Sequence, residues 1–130
     1  MMPNRQNVWI IDPCKIFGQL LAKMIQKKYP RADITQIERL DQANSCLEAA
    51  PPNLVFIDSS IAFASCIATI KTIRRKLPKT QIVVVAVDDC EEYEQAILNA
   101  GADFFFSKNY SSYQRLVEFI EKNNPTANTT

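Results

Sequence analysis

The chain has 130 residues, which is enough for one globular domain with its own hydrophobic core. Its net charge is +1, which argues against a surface that recruits nucleic acid or acidic membranes through charge alone. It contains no histidine, which excludes histidine-based triads and phosphohistidine chemistry on this chain and makes a zinc site improbable.

Cysteine usage and hydropathy indicate the compartment. The four cysteines have spacings that match no metal motif, and we expect reduced, mostly buried thiols: Cys14, Cys46, Cys66 and Cys90. Residues 1–6 are polar and lack the apolar segment of a signal peptide. No apolar run approaches the roughly 18 residues that a membrane helix needs. We therefore expect a cytoplasmic protein that does not contact membranes.

The first predicted elements are a strand, a helix and a second strand. Residues 8–11 form an unbroken apolar run, typical of a strand buried on both faces, which ends at Asp12. The next segment predicts a helix with an apolar stripe of Ile16, Phe17, Leu20, Leu21, Met24 and Ile25. Residues 32–37 predict a weaker strand, anchored by Ile34 and Ile37.

The middle of the chain continues the alternation. Asp41 is a good N-cap for a short helix through Ala49. Residues 54–57 predict a strongly apolar strand that ends at Asp58. A third helix follows and ends before Pro78, and its apolar positions are Ile67, Ile70, Ile73 and Leu77.

The last part predicts two more strands and two more helices. Residues 82–87 are the most apolar strand, and Asp88 and Asp89 are candidate caps for the helix after it. Gly101 stands where a terminating glycine is expected. Residues 104–106 predict a fifth strand, and residues 112–121 predict a final helix.

Five strand–helix units in a row predict a parallel sheet with helices on both faces. We expect a flavodoxin-like (βα)5 doubly wound α/β fold with strand order 2-1-3-4-5. Residues 1–122 would form this single domain, and residues 123–130 a flexible C-terminal tail.

This strand order predicts a polar site at one edge of the sheet. Ligands of open α/β sheets bind beyond the carboxyl ends of the strands, where the strand order reverses. Strand one ends at Asp12, strand three at Asp58, and strand five near Lys108. Two carboxylates about 4 Å apart repel by roughly 4 kcal/mol at an effective dielectric constant of 20. Such a pair favours a cation such as Mg²⁺, and the lysine favours a phosphate.

At this point the residues resemble the receiver domains of two-component response regulators, over about residues 8–120. Residues 53–58 look like the phosphoacceptor strand of that family, and residues 91–108 look like its fourth helix, fifth strand and invariant lysine. The resemblance is greatest to receivers attached to helix-turn-helix output domains. It implies a cytoplasmic signalling protein of the bacterial type.

The resemblance also implies a role for individual residues. Asp58 would accept the phosphoryl group, and Lys108 would contact it. Asp12, Asp58 and the backbone carbonyl of Ser60 would bind Mg²⁺. Phe105 would be the aromatic member of the conformational switch, whose other position is Ala86.

Several positions depart from the family pattern. Pro13 replaces a second acid that binds the metal directly, and Ala86 replaces a threonine or serine whose hydroxyl bonds the phosphate. Residues 59–66 lack the usual proline and glycine, and Asn109 stands where a proline is frequent. These departures imply weak Mg²⁺ binding and the loss of the usual coupling between hydroxyl and aromatic ring.

Two functions remain open. The first is a receiver that is phosphorylated by a histidine kinase or a phosphotransfer protein and signals to an output protein. It would signal through the face of the fourth helix, fifth strand and fifth helix, where a homodimer could also form. The alternative is a pseudo-receiver, a protein–protein interaction module that ignores phosphorylation.

Three other functions are less favoured. An enzyme is not expected, because an aspartate-nucleophile phosphatase needs a second acid where this chain has Ser60. A basic set on and just after the third helix predicts a solvated surface rather than a nucleic-acid site: Lys71, Arg74, Arg75, Lys76 and Lys79. A redox role for Cys14 and Cys66 would need a lowered thiol pKa, which nothing in the sequence favours.

Overall fold

The computed structural model describes residues 7–12, 15–39, 42, 51–58, 63–86, 90–107 and 110–122. Its five strands form one parallel sheet in the order β2-β1-β3-β4-β5. The strands are β1 (Asn7–Ile11), β2 (Asp33–Ile37), β3 (Leu54–Asp58), β4 (Gln81–Ala86) and β5 (Phe104–Ser107). The predicted α/β class and strand order are confirmed.

The helices of the described residues are α1 (Lys15–Lys28), α2 (Phe63–Lys76), α3 (Glu91–Ala100) and α4 (Tyr110–Lys122). They are the first, third, fourth and fifth helices that the sequence predicts. The helix expected over residues 41–49 lies outside the described residues except for Gln42, and the expected tail over residues 123–130 lies outside them entirely. None of the helices in the described part of the chain has the length and apolarity to cross a bilayer.

The sheet is buried on both faces, as its unbroken apolar strands predict. All five residues of β3 are buried, and so are the last five of β4. One apolar cluster packs α2 and α3 against the sheet around Trp9, Ile57 and Val84. The other packs α1 and α4 against the opposite face around Ile10, Phe56 and Val83. The helices therefore cover both faces of the sheet, and the buried polar residues Asp12, Asp58 and Ser107 lie at the carboxyl ends of its strands.

The predicted apolar stripe of α1 is wrong at two positions. Ile16 and Leu20 are 71% and 53% exposed, whereas Gly18, Leu21 and Ile25 are buried. The buried set has the i, i+3, i+7 spacing of one helical face, and Ile16 and Leu20 lie off that face. A Cβ atom on Gly18 would lie 3.3 Å from Gln36 Oε1, so the glycine lets α1 approach the sheet closely.

The boundaries of α3 differ from the prediction at one end. Asp88 and Asp89 are not its cap, because the helix begins at Glu91 with Cys90 as its N-cap residue, which makes no side-chain capping bond. The first turn holds three acidic side chains, which interact favourably with the helix dipole. Gly101 ends the helix with φ of +127°, as expected, and its N–H donates to Leu98 O at 3.1 Å.

Arg74 of α2 is a structural anchor that the sequence reading placed on a solvated surface. Its guanidinium donates to three backbone carbonyls at 3.0, 2.8 and 2.8 Å, those of Gly101, Pro78 and Thr80. It also donates to Asp103 Oδ2 at 2.7 Å, and the same oxygen accepts from Ile82 N at 2.8 Å. One side chain thus joins α2 to the starts of β4 and β5.

We predict that Arg74→Ala lowers the free energy of unfolding by about 2 kcal/mol, because hydrogen bonds to a charged group are lost together. Arg75→Ala is the matched control on the same helix, where the side chain is exposed, and it should change stability by less than about 0.5 kcal/mol. Urea unfolding of both variants measures the difference. Equal stabilities would show that the Arg74 bonds contribute nothing net.

Candidate functional site

Two buried carboxylates lie at the carboxyl ends of neighbouring strands. Asp12 directly follows β1 and Asp58 ends β3, and the register pairs Ile11 with Ile57 immediately before them. Neighbouring strands are about 4.8 Å apart, so the two aspartates stand side by side. Their residues are only 5% and 3% exposed. Asp12 and Asp58 therefore lie at the ends of adjacent strands.

The two aspartates share one face of the sheet. Side chains alternate along a strand, so Asp12 follows the direction of Ile10 and Asp58 that of Phe56. Both of these apolar residues belong to the cluster packed under α1 and α4. The backbone N–H of Asp12 donates to Ile37 O at 2.9 Å, which extends the β1–β2 pairing to the site itself.

The other predicted site residues divide into two groups. Lys108, Ser60, Pro13 and Asn109 lie outside the described residues. Ala86 ends β4 and Phe105 lies in the middle of β5, and both are buried in the cluster under α2 and α3. The Phe105 ring makes an edge contact with Tyr93 of α3, with centroids 6.4 Å apart. Phe105, the predicted aromatic member of the switch, is therefore packed in the core in this structure.

Cys66 of α2 is buried in the apolar cluster under α2 and α3, and the charge of Asp58 acts on its thiol. Burial, and secondarily the charge of Asp58, raises the pKa of the Cys66 thiol to about 12. A thiol with this pKa stays protonated at neutral pH and is a poor nucleophile. The raised pKa of Cys66 is the opposite of the lowered thiol pKa that a redox role would need. Cys90 is exposed, contrary to the general expectation of buried thiols.

A small polar cavity of about 110 Å³ adjoins Asp12 on its other side. Its polar lining includes Gln36 of β2 and Glu38, which directly follows that strand. Glu38 Oε2 lies 3.7 Å from Lys15 Nζ across this cavity, between two exposed side chains. The sequence reading missed these residues, although the parallel β1–β2 register brings the end of β2 beside Asp12.

The described residues supply only part of a metal site. Among them, no group of three or more histidine, cysteine, aspartate or glutamate side chains could hold an ion. Two buried carboxylates side by side nevertheless match the ligand type that Mg²⁺ prefers, and it commonly uses only one or two of them. The charge of the pair and its donor atoms therefore fit a divalent cation.

Comparison with known proteins identifies the family. A family model described as the response regulator receiver domain matches residues 8–121. The chain belongs to this family. Such receiver domains are parts of two-component signalling systems, in which they interact with histidine kinases and output domains. Stress response regulator protein 1 from Lodderomyces elongisporus is 28% identical over 111 residues, which are 82% of this chain. The receiver chain spans only 31% of that relative's length.

Solved structures share the fold of this receiver domain. A CheY-like receiver domain protein from Methanospirillum hungatei superposes with a TM-score of 0.79 and 15% identity, over 98% of this chain and 100% of that one. An orphan response regulator of H. pylori gives 0.75 and 22%, over 91% and 97% of the two chains. A Burkholderia pseudomallei response regulator with a phosphorylated aspartic acid and calcium gives 0.74 and 19%, over 85% and 64%.

We predict that thiol reagents distinguish the two described cysteines. In folded protein at pH 7.5, iodoacetamide should modify exposed Cys90 readily and leave Cys66 unmodified, because burial and its raised pKa keep that thiol protonated. Peptide mapping by mass spectrometry measures each site, and labelling in urea is the control that makes both react. Modification of Cys66 at the rate of Cys90 in folded protein would contradict the buried, protonated thiol.

Proposed function

We propose that this receiver domain accepts a phosphoryl group on Asp58. The observation that carries the proposal is the buried pair of Asp12 and Asp58 at the carboxyl ends of two adjacent parallel strands. Buried acids are unfavourable unless a cation or hydrogen bonds compensate for them, so their retention favours a functional role. The phosphorylated aspartic acid of the similar Burkholderia pseudomallei protein is consistent with this chemistry.

The transfer itself needs little covalent machinery. A carboxylate oxygen of Asp58 would attack the phosphorus of a phosphohistidine on a histidine kinase or phosphotransfer protein. The new O–P bond forms as the P–N bond breaks, and the imidazole nitrogen keeps the electron pair of the broken bond. The ammonium group of Lys108 would bind the phosphoryl oxygens as a point charge.

Asp12, Asp58 and the backbone carbonyl of Ser60 would hold a Mg²⁺ ion. When bound, Mg²⁺ supplies positive charge that offsets the charge of the phosphoryl oxygens. Pro13 provides no side-chain oxygen, so we expect weaker Mg²⁺ binding than a second acid would give.

The output partner would bind at the face of α3, β5 and α4. Phe104 of β5 is 37% exposed there and packs on Phe119 of α4, with centroids 4.8 Å apart. A partly exposed aromatic residue is typical of protein–protein contacts. A homodimer is the other use of this face, and neither nucleic acid nor a membrane surface is proposed as a direct partner.

A second candidate function is a pseudo-receiver that binds partners regardless of phosphorylation. Ala86 favours it, because this buried side chain at the end of β4 has no hydroxyl to bond a phosphoryl group. Phe105 is already packed in the core against Tyr93, so phosphorylation has no exposed Phe105 ring to draw inward.

Phosphorylation by a small donor separates the two functions. With Mg²⁺ and acetyl phosphate, we expect one phosphoryl adduct on the intact protein and none on Asp58→Asn, which lacks the attacking carboxylate. Intact mass spectrometry measures the adduct. Asp33→Asn is the matched control, because Asp33 is exposed at the far end of β2, and it should be labelled like the unaltered protein.

The outcomes lead to different conclusions. An adduct that depends on Asp58 supports a working receiver. An adduct that persists in Asp58→Asn would show that another residue is the phosphoacceptor. An unlabelled protein, with no Mg²⁺-dependent change in the fluorescence of buried Trp9, supports the pseudo-receiver.

A further inference from the structure

Ser107 has a buried hydroxyl group that the fold itself does not use. Ser107 is the last residue of β5 and is 2% exposed. Its Oγ atom makes no hydrogen bond within the described part of the chain. Because a buried hydroxyl without a partner is destabilising, such a group calls for an explanation, and a ligand is one of the few available.

Ser107 lies near the proposed site of phosphorylation. The residue lies at the carboxyl edge of the sheet, the same edge that carries Asp12 and Asp58. In the β4–β5 register Ser107 stands opposite Ala86, so both side chains lie on the same face. Ala86 presents only a methyl group there, so it offers no hydroxyl of its own beside Ser107.

The distance to Asp58 suits a contact through one water molecule. Asp58 pairs with Val85, and Val85 pairs with Phe106, so Ser107 is two strands away and one residue farther along. Strand spacing and rise place the two Cα atoms about 10 Å apart. By strand alternation the two side chains leave opposite faces of the sheet, so a phosphoryl group on Asp58 would meet the Ser107 hydroxyl beyond the end of β4, through a water above Ala86.

We propose that Ser107 is a positioning residue that hydrogen-bonds the phosphoryl group of Asp58 through one water held above the methyl group of Ala86. This inference rests on the proposed phosphorylation of Asp58. The hydroxyl that contacts the phosphoryl group would then come from β5, whereas the family resemblance places it on β4 at the position of Ala86. Phe105 lies two residues earlier on the same face and contacts Tyr93, so phosphorylation would act on α3 through β5.

The rate of labelling by acetyl phosphate with Mg²⁺ tests this role. Ser107→Ala should be labelled about tenfold more slowly, because a bond to a charged group is lost. Its melting temperature should stay unchanged or rise, since the substitution removes an unpartnered buried hydroxyl. The double variant Ala86→Ser with Ser107→Ala places a hydroxyl on the neighbouring strand instead. Its labelling rate should recover to within about threefold of that of the unaltered protein, because one hydrogen bond to the phosphoryl group is restored.

Thr80 provides the matched control. Its hydroxyl is also buried but donates to Pro52 O at 2.8 Å, at the opposite edge of the sheet. Thr80→Val should lower the melting temperature and leave the labelling rate unchanged, because it breaks a structural hydrogen bond far from Asp58.

The results separate this inference from the proposed function. If Ser107→Ala is labelled as fast as the unaltered protein, the role of Ser107 is overturned and the phosphorylation of Asp58 stands. If the unaltered protein is not labelled, the proposed function fails, and the role of Ser107 fails with it. A slow Ser107→Ala variant that the added serine at position 86 does not rescue would also overturn the hydroxyl contact.

Discussion

The parallel direction of all five strands is the constraint on which the remaining structure depends. It places every carboxyl end at one edge, and it requires that both faces of the sheet be covered by helices. The completely buried β3 occupies the centre of this arrangement, between β1 and β4. Because β3 ends at Asp58, the most protected strand of the fold delivers a carboxylate to the edge where ligands bind. The core and the site are therefore consequences of the same topology.

The sequence predicted what depends on local pattern. Unbroken apolar runs identified the strands, and the residues that end them identified Asp12 and Asp58 as neighbours. It failed where tertiary packing decides. The close approach of α1 at Gly18 turned Ile16 and Leu20 outward, although their spacing fits an apolar stripe. Asp88 and Asp89 have good capping propensity, yet the backbone enters α3 only at Glu91. Propensity is a weak guide when chain geometry fixes where a helix begins.

Arg74 and Ser107 show a second limit of sequence reasoning. Both belong to residue types that usually lie on the surface, so composition favours a solvated interpretation. Arg74 is instead held by three carbonyls and Asp103, which only become neighbours when α2 packs beside the starts of β4 and β5. Ser107 is buried together with Phe105 and Phe106, although Phe104 at the start of β5 is partly exposed. In each case the partner, or the lack of one, is defined by contacts between distant segments.

The energetics of the buried acids bear on the choice between the two proposed functions. A module that served only as a binding surface would not need two buried carboxylates on adjacent strands, whose mutual repulsion is unfavourable. The chain keeps both acids, and it also keeps a hydroxyl without a partner at the same edge. Local costs of this kind typically collect at functional sites rather than at inert ones. Ala86 at the end of β4 favours the pseudo-receiver, because it removes one contact to a phosphoryl group. The two carboxylates and the Ser107 hydroxyl favour the receiver more strongly, because a phosphoryl group and a cation would interact with all three.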